Sequence, residues 1–204
     1  MKMLHIDSSI RGPHSVSRKL SAEIVERQTA LHPRIELTYR DLAADPALHL
    51  SGAHVEAWAG GHVEGAGLSC DLETGEEYIA ELFDADIVVI GAPMYNFSVP
   101  SQLKAWIDRI VVAGQTFTYG EAGEVQTLLP PNKKVFIAST RGNIYQPGLP
   151  TASLEHHESY LKSVLSFLGL HDVTIVRAEG LAFDLESKNA AIRKARSDIA
   201  SMTG

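Results

Sequence analysis

The chain has one cysteine, Cys70, among its 204 residues, no surplus of positive charge, and no long uninterrupted apolar run. Each shortage excludes something. A single cysteine rules out an internal disulfide and a four-thiolate metal site, and it fits a reducing compartment, so a cytoplasmic location is expected. The N-terminal "MKMLHIDSS" reaches polar residues too early for a signal peptide, and no run approaches the roughly 20 apolar residues of a membrane span. The formal net charge of −7, with no basic run of five or more residues, argues against a nucleic-acid binder, whose affinity comes from cations meeting phosphates. The glycine-rich nucleotide signatures are missing too. No G-x-G-x-x-G follows a strand and no G-x-x-x-x-G-K-[ST] occurs; Gly65-Ala66-Gly67 is a fragment in the wrong context. Without a G-x-S-x-G elbow, Ser8 and Ser9 do not indicate a serine hydrolase.

What remains is an ordinary globular composition, 45% hydrophobic and 21% charged, sufficient for one core spanning residues 1–204. Four apolar runs read as buried strands: 3–6, 86–90, 134–139 and 172–178, with the alternating "IELTY" at 35–39 as an edge. Between them lie helical stripes. Leu103, Trp106, Ile107, Ile110 and Val111 form one, closed by Gly114; Val16, Leu20, Ile24 and Leu31 form a second; Leu154, Leu161, Val164, Leu165 and Leu168 form a third. Strands alternating with helices predict an α/β fold, a doubly wound five-stranded parallel sheet of order 2-1-3-4-5. Residues 44–69 read as a long surface excursion.

In that order three loops converge on one crevice: "DSSIRGPHSVS", "APMYNFSVPS" and "STRGNIYQPG". The first offers Ser9, Ser15 and Ser17, with Arg11 beside them, before a helix expected to begin near Ser17 or Arg18. Hydroxyls and free N–H groups at a helix N-terminus suit a phosphate dianion, here that of a mononucleotide. In the second loop Tyr95 and Phe97 can wall a planar ligand while Asn96 pairs with its edge, and Pro100 starts the next helix near its first position.

Here the chain resembles a known family, the FMN-dependent NADH azoreductases, also described as NAD(P)H:quinone oxidoreductases of flavodoxin-like fold. The likeness runs through "SSIR", "SVSRKLS", "RDLAADP", "APMYNFSVPSQLKAWID", "TFTY", "TRGNIY" and "AEG". It implies that Ser9 and the Ser15-Val16-Ser17 turn hold the FMN phosphate, that Met94, Tyr95, Asn96 and Phe97 line the isoalloxazine, and that Thr140, Arg141, Gly142 and Asn143 close over its pyrimidine end. It further implies NADH or NADPH as donor, a quinone or azo acceptor, and a homodimer, for which an exposed Trp58 and ring-bearing loops are the sequence support. Phe97, Phe117, Tyr119 and Tyr145 are the expected substrate shelf. The family usually reads S-R-G-G where this chain has Thr140-Arg141-Gly142-Asn143; Asn143 is expected to keep the loop by adopting a left-handed backbone. A phosphatase of the same fold would need a cysteine in the first loop, where serines stand. His49, His54, His62 and Cys70, and Glu155 to Glu158, match no metal-ligand spacing and read as solvated surface. The reading from a different class is an FMN electron carrier or redox-sensing module.

Overall fold

The structure is a computed structural model and describes residues 1–203. Strands β1 (Lys2–Asp7), β2 (Glu36–Asp41), β3 (Ile87–Pro93), β6 (Lys134–Thr140) and β7 (Asp172–Ala178) form one parallel sheet in the order β2-β1-β3-β6-β7. This is the predicted 2-1-3-4-5 order; a short antiparallel hairpin of β4 (Phe117–Tyr119) and β5 (Val125–Thr127) stands outside it. β3 is buried along its whole length, as a central parallel strand covered on both faces must be, whereas β2 is mostly exposed at its edge.

The period of two sorts the strand residues between two cores. Leu4, Ile6, Val88, Ile90, Val135 and Ile137 face α3 (Ala66–Asp84), α4 (Ser101–Ile110) and α5 (Glu158–Phe167). Their neighbours Met3, Ile87, Val89, Phe136 and Ala138 face α1 (Val16–Leu31) and α6 (Leu185–Ala200). Trp106, buried with Leu103, Ile107 and Ile110, carries the α4 stripe expected from its spacing. No described helix is long and apolar enough to cross a membrane.

Several boundaries differ from expectation. α1 begins at Val16, because Ser15 caps it; α4 begins at Ser101 with Pro100 as its cap residue, and ends at Ile110, so Val111 lies outside it. The third stripe is split: Pro150–Leu154 is a 3-10 turn that leaves Leu154 exposed, and α5 starts only at Glu158. The excursion contains a helix, α2 (Gly52–Trp58), and runs directly into α3. The seam of α3 was hard to see because Asp71 and Gly75 interrupt its apolar positions.

Those two positions explain how the excursion is held. Arg109 of α4 is 1% exposed and donates from Nε to Asp71 Oδ2 at 2.7 Å and from Nη2 to the Leu48 carbonyl at 2.9 Å. Asp71 also accepts from the Leu48 N–H at 2.6 Å and lies 3.0 Å from His54 Nε2, while Ser51 Oγ meets His54 Nδ1 at 2.8 Å. A Cβ at Gly75 would sit 3.2 Å from Arg109 Cδ, so the missing side chain makes room for the guanidinium stem. Burial raises the Asp71 carboxyl, but the Leu48 N–H and Arg109 outweigh it and hold the group below its ordinary value. His54 is thus a buried anchor and not solvated surface, and Trp58 packs partly buried against the core instead of standing exposed. Removing one partner of such a pair strands the other charge, at a cost of about 3–5 kcal/mol. Arg109→Met is therefore expected to lower the unfolding free energy by that order, read as a lower urea midpoint at unchanged slope, and limited proteolysis should cut first within residues 47–65.

Candidate functional site

β1, β3 and β6 end side by side, with Asp7 paired to Gly91 and Pro93 to Thr140, so the three following loops meet at one edge of the sheet. Between them lies a cleft of about 140 Å³ bounded by Ser9, Ser15, Val16, Met94, Tyr95 and Gly142, with Thr140 and Arg141 at its wall. Of two larger cavities, the one of about 500 Å³ beside β7 and α6 lies away from these loops, whereas the one of about 450 Å³ next to α5 is walled partly by Arg141, Tyr145 and Gln146 of the third loop. Gly91 is required where β1 and β3 meet, because a Cβ there would fall 2.2 Å from Asp7 Oδ1.

The first loop supplies hydroxyls. Ser8 does not reach the cleft; its hydroxyl donates to the Gly91 carbonyl at 2.8 Å and ties the loop to β3. Ser9 Oγ lies 3.1 Å from the Tyr95 hydroxyl and accepts from the Arg11 N–H at 3.3 Å, bridging the first and second loops. Ser15 Oγ accepts from the Arg18 N–H at 3.3 Å, capping α1, and contacts Ser17 Oγ at 2.9 Å. The first-turn N–H groups of Val16 and Ser17 have no partner inside the helix, by the geometry of every helix start. Arg11 and Lys188 bring cationic side chains to the same cleft, the latter from α6, and the His14 ring lines it beside them. This end is built for an anion.

The second loop is a two-residue reverse turn. Tyr95 N–H donates to Ser98 O at 3.0 Å and Ser98 N–H returns to Tyr95 O at 3.1 Å, and the central residues are left-handed, Asn96 at φ 48° and Phe97 at φ 73°. Asn adopts that region with little difficulty; a phenyl side chain does so at a cost of about 1–2 kcal/mol. The turn presents Phe97 outward, 43% exposed, and strain of this kind is characteristic of binding sites. Asn96, Phe97, Asn143 and the buried Ser17 do not line the enclosed cleft; Asn96 and Phe97 are exposed at the tip of the turn that follows its wall residues Met94 and Tyr95.

The third loop is held from beneath. Arg141 donates to Glu158, which also accepts from Ser139 Oγ at 2.7 Å and Arg177 Nε at 2.8 Å. The charge of Arg141 is therefore already matched. The carbonyls of Arg141, Gly142 and Asn143 accept from Leu181, Ala182 and Gly180 at 3.2, 3.0 and 3.2 Å. In a trans peptide the N–H opposes the carbonyl, so the N–H groups of Gly142 and Asn143 point away from that turn, and neither donates to a protein acceptor among the described residues. Asn143 does not take the left-handed backbone expected of it; its side chain accepts from the Ile144 N–H at 2.7 Å instead. The turn at 180–182, which brings Leu181 and Ala182 to the cleft, had no signal in the sequence beyond Gly180, whose φ is 73°.

The four expected shelf rings separate into two groups. Phe97 and Tyr145 meet edge to face with centroids 6.4 Å apart. Phe117 is only 6% exposed and packs on Phe167 at 4.8 Å, so it belongs to the core, with Tyr119 lying against it from outside. Glu158 and His157 likewise are buried, against the reading of residues 155–158 as solvated surface. No group of three or more candidate metal ligands occurs among the described residues.

The profile of the flavodoxin-like fold family matches residues 1–202. The chain belongs to the flavodoxin-like fold family. It is similar to the FMN-dependent NADH:quinone oxidoreductase of Sinorhizobium medicae, at 48% identity over 98% of this chain and 96% of the relative. The protein of the same name from Xanthomonas campestris pv. campestris is 48% identical over 98% of both chains. Among solved structures of flavodoxin-like proteins, an FMN-dependent NADH-azoreductase from Bacillus anthracis in complex with FMN superimposes with a TM-score of 0.85 at 25% identity, covering 100% of both chains. An NAD(P)H:quinone oxidoreductase from Methanothermobacter marburgensis, at 18% identity, 98% coverage of both chains and a TM-score of 0.69, shares the fold.

The buried cluster under the third loop makes this flavodoxin-like chain sensitive to acid. Burial first, and the Arg141 charge second, push the His157 ring from 6.5 down to about 4, and neither ring nitrogen has a hydrogen-bond partner. Burial raises Glu158, but Arg177, Ser139 and Arg141 overcome it and bring the carboxyl to about 2. For both groups the unfolded chain binds protons more readily, so stability falls as pH falls: from 6.5 to about 4 for His157, and from 4.5 to about 2 for Glu158. In His157→Gln the first of these losses should disappear, and urea midpoints at pH 7 and pH 5 should lie closer together than in the unaltered chain.

Proposed function

We propose that the chain is an FMN-dependent NADH:quinone oxidoreductase that also reduces azo compounds, with residues 1–204 acting as one cofactor-binding domain. The observation that carries this reading is the meeting, in one cleft, of a hydroxyl-lined helix N-terminus with a strained aromatic turn, in a chain 48% identical to relatives of that name. The donor set fits FMN. Ser9, Ser15, the N–H groups of Val16 and Ser17, and the nearby Arg11 and Lys188 would take its phosphate dianion, with the buried Ser17 hydroxyl orienting that of Ser15. Met94, Tyr95, Asn96 and Phe97 would lie along the ring, Asn96 offering both a donor and an acceptor. Thr140, Arg141, Gly142 and Asn143 would face the pyrimidine end, where the free N–H groups of Gly142 and Asn143 can stabilise negative charge.

When bound, FMN supplies two-electron chemistry, taking hydride from a nicotinamide and returning it to an acceptor. The protein orients the partners and excludes water; no proton-transferring side chain is assigned. Phe97 and Tyr145 offer a planar guest one apolar face, supporting alternate occupation by NADH or NADPH and then by a quinone or azo compound in ping-pong order. The enclosed volume of about 140 Å³ falls below the roughly 300–1,000 Å³ of a complete small-molecule pocket. It suits the phosphate end, leaving the ring on an open shelf beside the exposed Phe97. In a homodimer a second copy of the chain would cover that shelf, and the lone exposed Cys70 and net charge of −7 are compatible with a cytoplasmic site of action without nucleic-acid or membrane partners.

The other reading, an FMN electron carrier, predicts binding without turnover. Purified protein mixed anaerobically with FMN, NADH and a benzoquinone distinguishes the two: the oxidoreductase bleaches the bound flavin and then reoxidises it rapidly, whereas a carrier is not reduced by NADH. Asn96→Ala should weaken FMN binding about tenfold, the scale of one or two hydrogen bonds, and an unchanged flavin titration would remove Asn96 from the site.

A further inference from the structure

Arg18 stands on the first turn of α1 behind the phosphate end of the cleft, and it does not line that cleft. Its backbone N–H is the one capped by Ser15 at 3.3 Å. Its side chain reaches back across the loop, donating to the Ser9 carbonyl from Nε at 3.1 Å and from Nη2 at 2.8 Å. The other edge of the guanidinium is held by Asp41 at the end of β2, with Nη1 donating to Oδ2 at 2.7 Å and Nη2 to Oδ1 at 2.6 Å. Asp41 in turn accepts from the N–H groups of Ala43 and Ala44 at 3.1 and 3.2 Å, and the Tyr39 hydroxyl accepts from Arg18 Nη1 at 3.1 Å. The Arg18 hydrogen bond, followed by these N–H groups, holds the Asp41 carboxyl below its ordinary value despite partial burial.

One residue therefore closes the segment from Ser9 to Ser15 at both ends, by its main chain at one and its side chain at the other. A planar fork with five donors can hold a carbonyl along one edge and a carboxylate along another; a lysine ammonium cannot do both in a fixed geometry. Because Asp41 already neutralises it, the guanidinium is poorly placed to act as a free cation toward a phosphate.

We propose that Arg18 and Asp41 are a positioning pair that fixes the Ser9-to-Ser15 loop in its phosphate-receiving shape, and so sets how strongly the site prefers a phosphorylated flavin over an unphosphorylated one. This rests on the FMN reading above. With the fork in place Ser9 Oγ stays against Tyr95 while its carbonyl is turned away into Arg18; without it the carbonyl is released and the hydroxyls lose their common orientation. Neither residue touches the ligand.

The test is fluorescence titration of the flavin-free protein with FMN and, separately, with riboflavin, for the unaltered chain and for Arg18→Met, Arg18→Lys and Asp41→Asn, with thermal midpoints measured in parallel. The expected result is a rise in the FMN Kd of about tenfold or more in all three variants, the scale of losing charge-assisted hydrogen bonds, with the riboflavin Kd within about twofold of its starting value. Asp41→Asn is decisive on mechanism. If Arg18 served as a phosphate charge, freeing it from Asp41 would tighten FMN binding, and that result would overturn the proposal. Equal weakening of both flavins, or an unchanged FMN-to-riboflavin ratio in Arg18→Met, would overturn it as well. Failure of the unaltered chain to bind FMN at all would instead remove the cofactor reading, and the proposal with it.

Discussion

The parallel pairing of β1 with β3 and of β3 with β6 is the constraint on which everything at the cleft depends. Its register sets Ile6 beside Ile90 and Ile90 beside Ile137, so that Asp7, Gly91 and Ala138 come level and the chain leaves the sheet three times at one edge. A one-residue slip would exchange the two faces of a strand, placing residues sized for α1 and α6 against α3, α4 and α5. The alternation of Val88 and Ile90 with Ile87 and Val89 forbids that slip, because each face is already filled. Gly91 adds a local condition, since any side chain there would collide with Asp7. Hydrophobic burial therefore decides where the loops begin.

It does not decide their shape. That is the work of three ionic clusters, two buried and the first half-buried, each joining a loop to a helix: Arg18 with Asp41 and the Ser9 carbonyl, Arg109 with Asp71 and the Leu48 carbonyl, and Arg141 with Glu158. Apolar contact is non-directional and would tolerate several loop conformations of similar energy, whereas a guanidinium fork has one set of angles. Such clusters contribute little net stability against a well-packed apolar alternative, and their removal piecemeal is costly. Two of them, at Arg18 and Arg141, lie under loops that border the cleft, where a single fixed loop shape is consistent with specificity being the gain. The left-handed Phe97 fits the same account, because a strained turn persists only where neighbouring structure over-determines it.

The sequence made the sheet legible because parallel strands buried on both faces leave continuous apolar runs, and α4 legible because its stripe is unbroken. It concealed α3, whose seam carries Asp71 and Gly75, and α6, which buries only Ala195 and Ile199 of its sixteen residues. The histidines misled for a related reason. His54 and His157 sit in polar stretches that read as surface, yet both are buried, His54 against Arg109 and Asp71 and His157 beside the Arg141–Glu158 pair with neither ring nitrogen hydrogen-bonded. The loop serines were identifiable as a group, but not their separate duties, with Ser8 bound to Gly91, Ser15 capping α1 and Ser9 facing Tyr95.

Local spacing determined the five strands of the parallel sheet, their order, a helix start beside the loop serines and the displayed aromatic loop, since each depends on residues a few positions apart and on periods of two or 3.6. Only the tertiary structure decided that Phe117 is core while Phe97 is displayed, that Asn143 needs no left-handed backbone, and that Arg18 reaches Ser9. Those outcomes depend on partners tens of residues away, Phe167, Gly180 and Asp41 among them, and no short-range pattern encodes where such partners come to rest.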